Sequence, residues 1–180
     1  MPQAVLHILV PLILLSLFKD WYDSKKGKKI FPLKYVLIAG IAGVLPDIDI
    51  PIFWILHFFG FTLDLVHRTF THTIFLPIIL LILFFITSKK AEVKVGRNKL
   101  GLNIIFLMIF IGSSIHLILD ATFQGYIVPL YPFIYTQIGL NLTQYLTEPL
   151  DNLFLPSLEG ALLVLWIIYL EYKHKISDFI

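Results

Sequence analysis

The sequence of 180 residues contains no cysteine, and only 14% of its residues are charged. Without cysteine the chain can form neither disulfides nor thiolate metal sites, so any metal must be held by nitrogen and oxygen ligands. Soluble domains carry about 25% charged residues, whereas 58% of this chain is hydrophobic. The composition excludes an ordinary soluble protein. It predicts an all-α polytopic membrane protein, a single membrane-embedded domain over residues 1–180.

Long apolar runs define the candidate membrane spans, because about 17–25 apolar residues cross a bilayer as a helix. We predict about five transmembrane helices, at roughly 2–18, 35–60, 73–88, 101–122 and 157–172. The first run lacks the basic start and the small-residue cleavage site of a signal peptide, so it is interpreted as a helix. Two prolines in LPDIDIP (45–51) interrupt the second run. Residues 35–60 are interpreted as one broken span, with a re-entrant hairpin as the alternative.

The lysines and arginines are concentrated in three short segments. Thirteen of the fourteen lie in residues 19–34, 88–99 and 171–180, and residues 121–157 contain none. Short loops rich in Lys and Arg stay on the cytoplasmic side. With five spans, this rule predicts a cell-membrane (inner or plasma membrane) protein with its N-terminus outside and its C-terminus in the cytoplasm. The basic runs are therefore interpreted as a topology signal, and the expected macromolecular partner is the lipid bilayer rather than nucleic acid.

Ionisable residues also occur within or beside the apolar runs. A charged group at the centre of a helix in lipid costs roughly 2.5–3.5 kcal/mol, so several of them are unlikely to be incidental. A rise of about 1.5 Å per residue places Asp47 and His116 deep in their spans, roughly 18 and 22 Å from the inner ends. His7 and His72 lie near the outer starts of theirs. Four separate spans are thus predicted to bring polar side chains to the outer half of the membrane.

The spacing in HLILD (116–120) places His116 and Asp120 four residues apart, on one helical face. Imidazole and carboxylate in this arrangement are typical of a metal-ligand pair. Gly112 and Ser113 lie one turn earlier on that face, which allows a neighbouring helix to approach closely.

Two other motifs leave their geometry open. In LPDIDIP, an extended backbone would point Asp47 and Asp49 the same way, whereas a helical turn would separate them and leave one to support the ligands. In HRTFTH (67–72), five residues separate the two histidines. We expect His67 in the preceding turn and His72 in the first turn of the third span. There the helix N-terminus and Arg68 would form a cradle for an anion.

These motifs, in this order, resemble a known family. The chain carries His7, then LPDID, HRTFTH, HLILD followed by QG (124–125), and PLYPF (129–133). It is similar to the predicted inner-membrane metal-dependent hydrolases of the YdjM type, whose pattern is a histidine, PDxD, HRxxTH, HxxxD with a nearby glycine, and a WPF-like element. The resemblance covers most of the chain, with Thr73 at a usual serine and Tyr131 at the usual tryptophan. It supports a metal site made of His7, Asp47, Asp49, His67, His72, His116 and Asp120.

Seven candidate ligands exceed the needs of one tetrahedral ion, so either two ions bind or one binds with supporting residues. Mixed imidazole and carboxylate ligands favour a divalent transition metal, Zn²⁺ first, with Mn²⁺ or Fe²⁺ as alternatives. The hypothesis is a hydrolase in which metal-activated water attacks an ester or phosphoester of an amphiphilic, phospholipid-like or anionic small molecule. Arg68 would stabilise the developing negative charge, and Glu159 would act as a general base or a supporting carboxylate.

Three other functions use similar residues. A metal-binding or transport protein would need a polar path to the inner side, and the inner halves of the spans contain almost no ionisable residue. A haem-binding electron carrier would pair histidines across helices, but aspartates are poor neighbours for its iron. A purely structural or partner-binding membrane protein is the third alternative. His57 is interpreted as interfacial, Asp64 as solvated or as orienting His67, and His174 as solvated.

Overall fold

The structure, a computed structural model, describes residues 4–27, 31–95, 98–123 and 125–175. It is mostly helical, with one antiparallel hairpin that pairs β1 (Glu92–Val95) with β2 (Asn98–Gly101). The helices are α1 (Ala4–Lys26), α2 (Leu33–Ala42), α3 (Asp49–Leu56), α4 (Leu63–Val66), α5 (Phe75–Ile86), α6 (Leu102–Phe123) and α7 (Leu150–His174). Short 3₁₀ turns cover Pro46–Ile48, His57–Phe59, Phe70–His72 and Leu142–Tyr145.

Three helices are long and apolar enough to cross a membrane: α1, α6 and α7. Helix α2 and the helical segment Pro46–Phe59 also pass the test together, bent by 50° at the break, which gives up to four spans among the described residues. Helix α5 has only 12 residues, or about 18 Å of rise against a hydrocarbon core of about 30 Å. The prediction of about five spans is therefore not confirmed.

Two of the predicted spans are longer in the structure than the apolar runs indicated. Helix α1 continues past residue 18 to Lys26, and its charged residues there pair within the helix and with α7: Lys19 Nζ lies 3.3 Å from Asp20 and 3.1 Å from Asp23, and Tyr169 donates to Asp20. Helix α7 begins at Leu150 rather than at 157, with Pro156 inside its second turn. By contrast, α6 matches the predicted span 101–122 to one residue at each end.

Helices α1, α2 and α6 pack around one apolar core. Its buried members are Leu12, Leu15, Tyr35, Val36, Ala39, Leu100 and Met108. A Cβ at Gly112 would overlap the carbonyl oxygen of Ala39, so glycine is needed for α6 to approach α2 this closely. The predicted close approach at Gly112 is confirmed. Helix α5 packs along α6 from its other side.

The basic segments meet at one end of the bundle. Lys34 Nζ donates to Val95 O of the hairpin, and Tyr35 Oη accepts from the Gly101 backbone N–H at 2.8 Å. Tyr169 of α7 donates to Asp20 of α1 at the same end. We call this region the basic end. His7 lies roughly 28 Å from it along α1, by the helical rise. Lys28, Lys29, Arg97 and residues 176–180 lie outside the described residues.

Candidate metal centre

Histidines and aspartates from four segments converge at the end opposite the basic end. Three overlapping groups each place one ligand atom per residue within 4.8 Å of the others. They are His7 with Asp47 and His116, Asp47 with His67 and His72, and His72 with His116 and Asp120. The residues come from α1, the Pro46–Ile48 turn, the segment around the Phe70–His72 turn, and α6. The predicted convergence is found, and these six residues form the polar cluster.

Four atoms of the polar cluster, which we call the tetrahedral set, lie 3.1–3.6 Å apart in five of their six pairs. His72 Nε2 lies 3.1 Å from His116 Nε2. Asp47 Oδ1 lies 3.4 and 3.6 Å from these two nitrogens, and Asp120 Oδ2 lies 3.4 and 3.5 Å from them. Metal–ligand distances of about 2.0–2.2 Å at tetrahedral angles require ligand–ligand separations of about 3.3–3.6 Å. The four nitrogen-to-oxygen separations lie in this range and the nitrogen-to-nitrogen separation is shorter, at 3.1 Å, so the donors are close to the geometry that a zinc-sized ion requires.

The orientation of the two imidazoles gives a second test of this fit. His116 Nδ1 lies 2.7 Å from the carbonyl oxygen of Gly43, which can only accept, so Nδ1 carries the proton. His72 Nδ1 likewise lies 3.2 Å from the Asp49 carboxylate. In the neutral rings both Nε2 atoms then present lone pairs to each other at 3.1 Å. A cation between them, or a proton on one of them, removes that repulsion, and the two neighbouring carboxylates stabilise the positive charge.

Asp49, a predicted ligand, belongs to none of the three groups and contacts two of their histidines. Its Oδ1 lies 3.0 Å from His67 Nδ1, and its Oδ2 accepts hydrogen bonds from Thr71 Oγ1 at 2.8 Å and from the Arg68 backbone N–H at 3.1 Å. With the contact to His72, the carboxylate fixes the outer nitrogens of two imidazoles and turns their Nε2 atoms away from it. Ligand histidines are held in this way in many metal sites.

The local backbone explains why the two aspartates differ. Pro46–Ile48 is a 3₁₀ turn and Asp49 begins α3, so the helical alternative is the observed one and the carboxylates diverge. Asp47 faces His72 and His116, whereas Asp49 lies on the opposite side of His72. His67 follows α4 directly, as predicted. His72 ends a separate 3₁₀ turn before α5 instead of lying in its first turn.

His7 lies beside the tetrahedral set, almost completely buried. Its ring stacks on that of His116 with centroids 3.8 Å apart, and its Nε2 lies 3.3 Å from Asp120 Oδ1. Its Nδ1 is buried without a hydrogen-bond partner. Asp120 thus contacts His7 with one oxygen and the two other imidazoles with the second. A Cβ at Gly43 would overlap the His7 carbonyl oxygen, so α1 can reach this depth only against a glycine.

Arg68 lies at the edge of the polar cluster in a left-handed conformation, with φ of 62°. Such a backbone costs about 1–3 kcal/mol for a residue other than glycine and is typical of functional sites. Its Nη2 lies 3.7 Å from Asp120 Oδ1, and its Nη1 donates to Tyr126 O at 3.4 Å. A Cβ at Gly125, where φ is 98°, would overlap Nη1. Glycine is therefore required there for the guanidinium to lie where it does.

Glu159 contacts the backbone of α1 next to His7. Its Oε1 accepts the Leu6 N–H at 2.9 Å in a buried environment. Leu6 is in the first turn of α1, where backbone N–H groups lack intrahelical partners. The carboxylate therefore caps α1 at the residue before His7, the side chain that reaches the polar cluster.

A cleft of about 620 Å³ opens beside the polar cluster. His67 and Arg68 form its polar wall, and Tyr131 packs there edge-on against Phe70 with centroids 4.9 Å apart. The full lining is Leu63, Leu65, His67, Arg68, Thr69, Gly125, Tyr126, Val128, Tyr131, Tyr135 and Gln137. A ligand in this cleft would meet the guanidinium and the cleft-facing imidazole together.

The sequence did not predict three groups that position side chains of the site: the Gly43 carbonyl, the Thr71 hydroxyl and the space left by Gly125. Thr71 and Gly125 carried a signal, as the threonine of the HRxxTH pattern and as the glycine that follows HLILD. Thr73, at the usual serine, donates to Phe70 O at 3.0 Å and closes the turn that carries His72. His57 is exposed and lies apart from the polar cluster. Gln124 and the side chains of Asp64 and His174 lie outside the described residues.

Comparison with known proteins identifies a family for this chain. A search of the curated proteins and a search of the solved structures each found no match. The family model described as YdjM inner membrane protein matches residues 1–176. That match contains every segment that contributes to the polar cluster, together with the apolar helices that carry them. The chain therefore belongs to the YdjM inner membrane protein family.

Proposed function

We propose that this protein is a membrane-bound, metal-dependent hydrolase that cleaves an ester or phosphoester bond. The observation that carries the proposal is the tetrahedral set of His72, His116, Asp47 and Asp120 directly beside a cleft that presents Arg68. A site for structural metal alone would need no such cleft.

His72, His116, Asp47 and Asp120 would hold the ion. The divalent metal, most consistent with Zn²⁺, and with Mn²⁺ or Fe²⁺ as alternatives, would supply a Lewis acid and an activated water at neutral pH. A second ion at the edge shared by Asp47 and His67 is compatible with the overlapping groups.

The chain's own residues supply the remaining chemistry. Arg68 faces the cleft and would neutralise negative charge on the bound substrate and on the oxygen where charge develops. His67 lines the same cleft while its Nδ1 is held by Asp49 at 3.0 Å. Its Nε2 is therefore free of that carboxylate and oriented, so it can accept a proton from the attacking group or return one to the leaving group.

The placement of the basic segments supports a topology for this reaction. All three predicted cytoplasmic segments have described residues at the basic end, and the polar cluster lies at the other end. We propose that the N-terminus is outside, the C-terminus is cytoplasmic, and catalysis takes place at the outer leaflet.

The alternative is a metal-binding or transport protein without hydrolase activity. Between the polar cluster and the basic end, the described parts of α1, α2 and α6 pack through the apolar core around Leu12, Val36 and Met108. An ion would have to cross this layer without ligands, which disfavours transport.

The test measures metal and activity in one set of proteins. Untagged protein in detergent would be analysed by inductively coupled plasma mass spectrometry and assayed with p-nitrophenyl phosphate, bis-p-nitrophenyl phosphate and p-nitrophenyl acetate. The variants are His116→Ala and Asp120→Asn, with Asp20→Asn as the matched control, a half-buried aspartate of α1 at the basic end.

We expect one or two equivalents of transition metal in the native protein and in Asp20→Asn, and loss of metal and hydrolysis in the two cluster variants. Folded native protein that takes up no supplied metal would disprove the mechanism. Bound metal without hydrolysis of any ester would favour the binding protein instead.

A further inference from the structure

We propose that the substrate is a membrane lipid with an anionic phosphate head group, and that it enters the cleft sideways from the bilayer. Its phosphate would lie against Arg68 and His67, and its chains would leave between Leu63 and Leu65 on one side and Tyr131 and Tyr135 on the other. The inference that this lipid is a substrate rests on the proposed hydrolase function, whereas its binding in the cleft does not.

The mouth of the cleft is apolar and open. Leu65 is 63% exposed and Tyr135 is 70% exposed, yet both line the same cleft as Arg68. Exposed leucine beside exposed tyrosine is typical of the border between lipid chains and head groups. The same cleft is therefore apolar at its rim and cationic at its polar wall.

The segment that packs on α4, the helix that gives Leu63 and Leu65 to the cleft, is suited to immersion in lipid. Residues 50–63 contain no Asp, Glu, Lys or Arg. Helix α3 and the turn after it expose apolar side chains on all sides: Trp54 is 64%, Phe58 88% and Phe59 75% exposed. They pack mainly on α4 and on each other. An apolar helix that protein leaves this exposed is stable in hydrocarbon rather than in water, so the side of α4 that carries the cleft borders lipid.

The polar wall selects the head group. Arg68 provides the formal charge among the described residues that line the cleft, and no Asp or Glu lines it. A guanidinium binds phosphate oxygens through parallel, charge-assisted hydrogen bonds. Gly125 leaves the space that the guanidinium occupies. A water-soluble phosphate would satisfy Arg68 but would leave the apolar rim without a partner, so the whole cleft fits an amphiphile.

The experiment reads out lipid contact directly and needs no turnover. A photocrosslinking amino acid would replace Leu65 or, independently, Tyr135 at the cleft mouth. The matched control position is Ile168 of α7, which is 58% exposed. Each protein would be placed in phosphatidylcholine nanodiscs that contain a minor fraction of phosphatidic acid, and the crosslinked lipids would be identified by mass spectrometry.

We expect phosphatidic acid to be enriched about tenfold over its bulk fraction at positions 65 and 135, the factor that one charge-assisted hydrogen bond supplies. At Ile168 the ratio should equal the bulk fraction. Arg68→Gln and Gly125→Ala should each abolish the enrichment, and added glycerol phosphate should not displace the lipid. The two variants act on the same guanidinium by different routes, so a folding defect in one leaves the other informative.

Equal ratios at the mouth and at Ile168, or enrichment that persists in both Arg68→Gln and Gly125→Ala, would overturn the lipid site. Displacement by glycerol phosphate would assign the cleft to a soluble phosphate instead. Enrichment without hydrolysis would uphold lipid binding while the hydrolase proposal fails. Hydrolysis of p-nitrophenyl esters without enrichment would do the reverse.

Discussion

The two ends of this molecule both bury ionisable side chains, but they balance the charge differently. At the basic end, Lys19 pairs with Asp20 and Asp23, and Tyr169 donates to Asp20. Asp23 also accepts the Phe31 backbone N–H at 3.0 Å and fixes the connection from α1 to α2. Asp20 and Asp23 each have a cation or a hydrogen-bond donor from the protein, so their charge is balanced without a bound ion.

The polar cluster is different because carboxylates and imidazoles predominate. His72 and His116 direct their Nε2 atoms at each other with Asp47 and Asp120 around them, and Arg68 approaches only one edge through Asp120. Removing ions from water is expensive unless their charge is matched. The comparison teaches that a set of acceptors facing inward calls for a bound cation or a proton, whereas a mixed network of donors and acceptors is balanced without either.

The cavities follow the same division. The basic end has a pocket of about 590 Å³ lined by apolar and aromatic side chains from α1, the residues before α2, α2 and α6, such as Leu15, Phe18 and Met108. The cleft at the other end presents His67 and Arg68. Only the second cavity offers groups that can bind and polarise an ester.

The largest expected effect outside the tetrahedral set is that of Asp49→Asn. An amide keeps the size of the side chain but removes the charge that fixes His67 and His72, and loss of such a supporting carboxylate typically lowers metal affinity about 10–100-fold. Competition with a chelator would measure the change. Asp23→Asn at the basic end is the matched control and should leave metal affinity unchanged. An unaltered affinity in Asp49→Asn would show that the imidazoles are held without the carboxylate.

Two variants of Glu159 distinguish a capping role from a catalytic role, and the expected loss of stability is intermediate among these predictions. Glu159→Gln retains an acceptor for the Leu6 N–H, so metal content and hydrolysis should both persist. Glu159→Ala leaves that N–H buried and unpaired, and should lower the free energy of unfolding by about 1–3 kcal/mol. Thermal unfolding of both variants and their activities would be compared. Abolished hydrolysis in a stable, metal-loaded Glu159→Gln protein would instead make Glu159 a general base.

The smallest expected effect is that of Tyr169→Phe at the basic end. It removes one hydrogen bond between α7 and α1, and such bonds in membrane proteins contribute about 0.6 kcal/mol on average. The melting temperature should fall by a few degrees, while metal content and hydrolysis stay at the native level. Loss of metal in this variant would mean that the two ends are coupled, and the comparison between them would fail.

Parts of the fold and the site were readable from the sequence because they depend on local patterns. The bounds of α6 follow from an uninterrupted apolar run, and the pairing of His116 with Asp120 follows from helical spacing alone. The full length of α1 could not be predicted, since charged residues such as Lys19, Asp20 and Asp23 are typical of a loop unless their partners are known. The tetrahedral choice of Asp47 over Asp49 was not readable either, because it depends on the 3₁₀ turn at Pro46.

Composition and motif order by themselves determined that this is a membrane protein, that any metal would need nitrogen and oxygen ligands, and which residues could supply them. Hydropathy and ligand chemistry are properties of each residue type, so the sequence is enough to assign them. Only the tertiary structure decided which atoms face one another, which carboxylates join the groups that could hold a metal, and that Gly125 makes room for Arg68. Those distinctions arise from distances of a few ångströms between segments far apart in the chain, and no local pattern encodes them.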